Sequence, residues 1–118
     1  METREIPRNE WRSFFDAFNQ QHEGWLATLE IFGAEIGAQE EARDLPLEGV
    51  TLASGGSEPE TIAISLGKTP EDHLDHTIVN PAHVWFEENV PVEDAALEIE
   101  SADDVKILMR FRSPQLLK

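Results

Sequence analysis

The 118-residue chain contains no cysteine. That removes disulfides, thiolate nucleophiles, iron–sulfur clusters and cysteine-based zinc sites at once, leaving histidine and carboxylate as the open options for metal chemistry. Basic residues are scarce as well: nine Lys and Arg stand against 24 Asp and Glu, a formal net charge of -15. Nucleic-acid binding draws its affinity from cations that neutralise phosphates, so this balance excludes DNA and RNA as partners and disfavours anionic lipid. No apolar run approaches the ~18 residues of a membrane span, and the opening METREIPRNE is charged where a secretory signal is apolar. These absences point to a cytoplasmic protein without membrane association, and none of them implies a cofactor.

What is present is enough to fold. Apolar residues make up 40% of the chain and include Trp11, Trp25 and Trp85, above the range of disordered sequences despite the charge. The length fits a single domain over residues 1–118 with one modest core. Between residues 13 and 105 the only Lys or Arg are Arg43 and Lys68, while Arg4, Arg8, Arg12 and Lys106, Arg110, Arg112, Lys118 mark the two ends. The basic ends can therefore lie over the acidic middle. The acid surplus itself fits a solvated surface, a face for a cationic partner or calcium, or adaptation to a salt-rich cytosol.

Trp11, Phe14, Phe15 and Phe18 follow the i, i+3, i+4, i+7 spacing. This predicts an amphipathic helix over about residues 8–23, opened by Pro7, closed by Gly24, with its aromatic stripe packed on a sheet. From residue 25 to about 112 the pattern changes to short β-rich stretches separated by Gly, Pro and acidic turns, which predicts antiparallel strands. Residues 25–31 and 38–42 read as strands around a turn at 33–37. Residues 45–52 carry Pro46 and belong on an edge or a bend, and Ile62, Ile64 and Leu66 point inward after a loop at 54–60. Thr69, Pro70, Glu71 and Asp72 read as the start of a single helical turn running on through His73 to Asp75. A strand beginning near His76 continues, bent or bulged at Pro81, into Val84, Trp85 and Phe86.

The last hairpin yields to parity. Leu97 and Ile99 on one strand, and Val105, Ile107, Met109 and Phe111 on the other, must share the buried face. Facing positions then sum to an even number. The turn becomes Ala102, Asp103 and Asp104, with an Asp left-handed, and Glu100 faces Lys106.

The best candidate for chemistry is Asp72, His73, Leu74, Asp75 and His76. Two imidazoles three residues apart on one helical turn can face a single metal, with Asp72 beside them and His22 or His83 arriving through folding. If His76 instead opens a strand, the pair diverges. Glu40 with Glu41, Glu87 with Glu88, and Asp103 with Asp104 are sequence neighbours, which on strands face opposite ways and form no shared acid–base site. Calcium loops, a phosphate-binding Gly-Lys-Ser/Thr ending at Ser54 to Ser57, and a Gly-x-Ser-x-Gly elbow are all missing.

Thr3-Arg4-Glu5-Ile6-Pro7, Glu10-Trp11, Phe14-Phe15-Asp16 and His22-Glu23-Gly24-Trp25-Leu26 together resemble the opening of an uncharacterised family of short bacterial proteins. Leu45-Pro46-Leu47-Glu48-Gly49, Asp72-His73-Leu74, His76-Thr77, Leu97-Glu98-Ile99-Glu100 and Arg110-Phe111-Arg112-Ser113-Pro114 extend the resemblance over nearly the whole chain. It implies a bacterial, cytosolic, stand-alone domain and no activity.

The resulting expectation is an α+β domain, one N-terminal helix packed on five or six antiparallel strands that curl into a small, partly closed barrel. Functionally it is a non-enzymatic binding or oligomerising module, with a protein partner or further copies of itself. The rival is a small metal-binding protein or metal-dependent enzyme using Asp72, His73 and His76.

Overall fold

A computed structural model of the chain describes residues 2–33, 37–55, 58–67, 69–88 and 94–113. In chain order the elements are β1 (Glu2–Glu5), a 3-10 turn (Arg8–Glu10), α1 (Trp11–His22), β2 (Leu26–Gly33), β3 (Gly37–Gly55) and β4 (Glu58–Leu66). A second 3-10 turn (Pro70–Asp72), β5 (Leu74–Val79), β6 (Pro81–Glu88), β7 (Asp94–Ser101) and β8 (Lys106–Arg112) follow. The strands pair in the order β1-β6-β7-β8-β2-β3-β4-β5, every pairing antiparallel, with β1 and β5 at the two edges.

The α+β class therefore holds, but the sheet has eight strands rather than five or six, and it is not closed into a barrel. Three local causes account for the difference. Thr3, Arg4 and Glu5 show no apolar alternation, so nothing in the sequence marks β1 as the strand that pairs with β6. Asn80 takes a left-handed conformation (φ 55) between β5 and β6, so the stretch read as one bulged strand is two strands in different parts of the sheet. Conversely, the stretches 38–42 and 45–52 are one 19-residue strand, β3. Its first half pairs with β2 as far as Pro46, and its second half pairs with β4 from Leu47 onward. Pro46 is tolerated because the strand changes partner there, next to a left-handed Asp44 (φ 53).

The helix forms as its spacing requires: Trp11, Phe15, Phe18 and His22 are buried on one face, while Arg12, Asp16 and Gln20 remain in water. Phe18 meets Phe111 at 5.1 Å and Phe86 at 6.0 Å between ring centroids, and Phe14 meets Phe86 at 5.4 Å. Arg4 on β1 covers Phe14, and Arg8 lies over Trp11, whose indole N–H donates to the Ile6 carbonyl at 2.9 Å. The helix also stands in for a missing strand. The Asn19 side-chain amide donates to the Val50 carbonyl (2.9 Å) and accepts the Val50 N–H (2.8 Å), so it completes the backbone of β3 on the side away from β4.

The C-terminal hairpin follows the parity reading. Ile99 faces Ile107, Leu97 faces Met109, Glu100 faces Lys106, and Asp104 is left-handed (φ 68). Leu108, flanked by charges, lies half-buried on the outer face, opposite to the face the helix covers. Both basic ends reach acids of the middle of the chain: Arg8 pairs with Glu60, and Arg112 with Asp44 at 3.2 Å.

Candidate functional site

The second half of β3, with β4 and β5, makes a three-stranded end to the sheet, and its register decides what β5 offers. Ile64 faces His76, Ile62 faces Ile78, and the Asn80 N–H donates to the Glu60 carbonyl at 3.0 Å. In an antiparallel ladder, hydrogen-bonded residues alternate with residues whose backbone groups point the other way. Asn80, Ile78 and His76 therefore bond toward β4. Asp75, Thr77 and Val79 direct their N–H and C=O groups outward, past the sheet edge. Asn19 gives an independent check, because it uses the backbone of Val50; the Val50 and Ile64 pair is thereby non-bonded, which turns Ile64 toward His76. No hydrogen bond from another described residue reaches the outward groups of β5.

Side chains alternate in step with the backbone. Leu74, His76 and Ile78 lie on the core face with Ile62, Ile64 and Leu66. The outer face carries three cross-strand rows: Gly49, Ser65 and Asp75; Thr51, Ala63 and Thr77; Ala53, Thr61 and Val79. Asp75 is the one ionisable side chain in these rows, on a protein of net charge -15. Val79 is the one large apolar side chain left exposed among the described residues, at 51%.

The histidines proposed from sequence separate. Thr69 caps the turn Pro70–Asp72, its hydroxyl accepting the Asp72 N–H at 3.3 Å, but the turn stops there and His73 is already extended (φ -85, ψ 134). His73 and His76 thus do not share a helical face, and Asp72 is exposed at the end of the turn. His73 lies with the outer-face groups: its Nε2 is 2.9 Å from Asp75 Oδ2 and its Nδ1 is 3.5 Å from Glu48 Oε2. Asp75 also accepts from the Ser65 hydroxyl at 2.7 Å. That bond first, and His73 second, hold the Asp75 carboxyl below the usual carboxylate range. Although Ser, Asp and His meet here, the serine hydroxyl donates to the carboxylate rather than to the imidazole, so the cluster lacks the nucleophile–base contact of acyl transfer. His76, on the opposite face of β5, is held below its ordinary pKa by burial, with Glu41 opposing weakly.

The other two histidines are engaged elsewhere. His22 is buried, stacked on Phe18 at 4.6 Å and edge-on to Trp25, with Nδ1 3.0 Å from the Phe18 carbonyl. His83 stacks on Trp85 and holds Glu5 at 2.7 Å across the β1–β6 pair. Among the described residues no group of three or more His, Asp or Glu side chains gathers in a metal-ligating arrangement. An open groove of about 990 Å³ passes His73 and Glu48 and continues along Glu23, Leu47 and Thr69. Its back wall includes Gly67 (φ 98), where a Cβ would come within 2.1 Å of the Asp72 carbonyl oxygen, so only glycine fits.

The outward triplet Asp75, Thr77 and Val79 escapes a reading of the sequence because edge position is set by tertiary pairing. The signal available was the pair Asn80 and Pro81, a turn dipeptide that ends one strand and starts another. No described helix is long and apolar enough to cross a membrane.

No solved structure matches the chain. It is similar to an uncharacterized protein of Aquifex aeolicus (strain VF5), 26% identical over 115 residues that cover 95% of this chain and 94% of that one. Residues 2–118 match the model of a family described only as of unknown function, and the chain belongs to that family, DUF5335.

Proposed function

We propose that the protein is a non-enzymatic cytoplasmic docking module whose working element is the β5 edge. The observation that carries this is the outward backbone of Asp75, Thr77 and Val79, which pairs with no other strand among the described residues. A strand in that state is a template for another strand, and natural edges are usually blunted by lysine, proline, a bulge or a very short length. β5 has none of these: it is six residues long, regular in register, with Asp75 as its one carboxylate. The acidic surface supports a protein partner rather than nucleic acid. Hydrogen exchange on dilute protein tests the reading. The amides of Asp75, Thr77 and Val79 should exchange quickly while those of His76 and Ile78, bonded to β4, are protected. Protection of the outward three in the dilute monomer would mean that the edge is already covered, and would sink the reading.

A metal-binding role keeps one supporting observation, the imidazole of His73 between the carboxylates of Asp75 and Glu48 beside the groove. The two carboxylates sit on opposite ring nitrogens, so a metal there would use His73 with one of them and draw its other ligands from solvent. Native mass spectrometry before and after a chelator, on wild type and His73→Ala, decides it. A stoichiometric adduct lost in the variant supports the role, and a bare mass with added zinc ends it.

A further inference from the structure

We infer that the occupant of the β5 edge is the β5 edge of a second copy of this chain, paired antiparallel about a twofold axis through Thr77. The inference rests on the docking reading above and names its partner.

Twofold antiparallel pairing puts one residue opposite its own copy, and the choice of that residue is constrained. Only Asp75, Thr77 and Val79 have backbone groups to give. Centred on Thr77, the register pairs Thr77 with the second copy's Thr77, Asp75 with its Val79 and Val79 with its Asp75. All three outward residues are then used, at two hydrogen bonds per facing pair and about six in all. Centred on His76 or Ile78, one outward residue in each copy loses its β5 partner and about four bonds remain. Centring on Asp75 sets two carboxylates face to face, which is destabilising. Centring on Val79 runs the chain into the Asn80 corner, where β6 leaves the edge.

Charge selects the same place. Two molecules of net charge -15 repel wherever acids meet. The three rows beginning at Gly49, Thr51 and Ala53 hold a single ionisable group each side, and the Thr77 register separates the two Asp75 carboxylates along the strand. Pairing continues the middle row across the axis as Thr51, Ala63, Thr77 and then the same three in reverse. A ladder of this length buries less than a standard interface, so the dimer is weak and concentration-dependent. Because screening relieves repulsion between copies, added salt strengthens it, whereas salt would weaken the docking of a cationic partner.

The test is sedimentation velocity on the full chain over a concentration series, at low and high salt, for wild type, Thr77→Pro and Ile78→Pro. The Thr77 N–H points out of the sheet, so proline there leaves the β4 ladder intact. It should weaken association about tenfold or more without unfolding the protein. The Ile78 N–H points into the ladder, and proline there should unfold the three-stranded end, which checks the assignment of inward and outward residues independently of association. Thr77→Cys adds a second readout. In a chain with no cysteine, the two copies would place one thiol each at Cα positions about 5.5 Å apart, within disulfide reach, and oxidation should give a covalent dimer that Thr51→Cys does not. A wild type that stays monomeric at every concentration overturns self-pairing, as does a dimer that Thr77→Pro leaves unchanged. Neither outcome touches the docking reading, which the exchange of the outward amides in dilute protein decides separately.

Discussion

The two ends of the sheet are built from different materials. Toward β6 and β8 the core is aromatic: Phe14 and Phe18 of the helix meet Phe86, Phe18 also meets Phe111, and His22 packs on Phe18, Phe86 and Phe111. Toward β4 and β5 it is aliphatic, Val50, Ile62, Ile64, Leu66 and Ile78, and no described helix covers the outer face. Even the edges differ. β1 is four residues long, with Arg4 over Phe14 and Glu5 tied to His83, whereas β5 is longer and nearly uncharged. The aromatic end closes the fold with large buried areas and ring contacts. The aliphatic end supplies regular pairing and stops with a row of backbone groups still available.

The aromatic end should therefore be the costlier one to damage. Phe18→Ala removes the ring that touches Phe86, Phe111 and His22, and is expected to cost about 3–5 kcal/mol in denaturant unfolding. A loss below about 1 kcal/mol would mean that the aromatic end is not where stability resides. Gly67→Ala strikes the link between β4 and the turn at Pro70. It forces an L side chain into a left-handed position, about 1–3 kcal/mol by itself, and drives a methyl into the Asp72 carbonyl, so a thermal melt should show a drop at least that large. Asn19→Ala uncouples the helix from β3 by leaving the Val50 N–H and carbonyl without partners, an expected loss of about 1–3 kcal/mol.

The smallest effect belongs to His76. Its folded-state pKa lies below the ordinary 6.5 because burial disfavours the imidazolium, so the unfolded chain takes up the proton more readily. Its stability contribution is therefore intact above about pH 6.5 and declines as pH falls through that value. Melting temperatures of His76→Leu and wild type should diverge in favour of the variant between about pH 8 and 5.5. A constant gap would place His76 in water.

How much of this could be read from residues alone depended on whether the cause was local. The helix was legible because four aromatic side chains at helical spacing admit one geometry. The last hairpin was legible because two apolar strands and a short acidic turn fix parity, down to Glu100 facing Lys106 and the left-handed Asp104. The turn at Pro70 was legible as far as its cap, but the extended conformation of His73 is imposed by pairing of Leu74 with Leu66 and carries no signal of its own. β1 was invisible because Thr3, Arg4 and Glu5 owe their strand to β6, more than eighty residues away, as in the Thr3 hydroxyl bond to Glu87. The turns read at 33–37 and 54–60 fall partly outside the described residues. The strand expected near His76 is β5, which starts two residues earlier at Leu74 and ends before Asn80; that earlier start is what takes His73 and His76 off a common helical face.

The pairing of β1 with β6 also sets an order on synthesis. A ribosome delivers β1 and the helix before the strand that pairs with β1 and before two phenylalanines that receive the helix, Phe86 and Phe111. β3 is available early to the Asn19 side of the helix, but Phe14 and Phe18 wait for Phe86 and Phe111, and closing so long a loop is among the slower steps available to a small domain. The nascent chain thus carries Phe14 and Phe18 only partly covered until β6 and β8 emerge, and exposed apolar surface in that interval is what favours aggregation over folding.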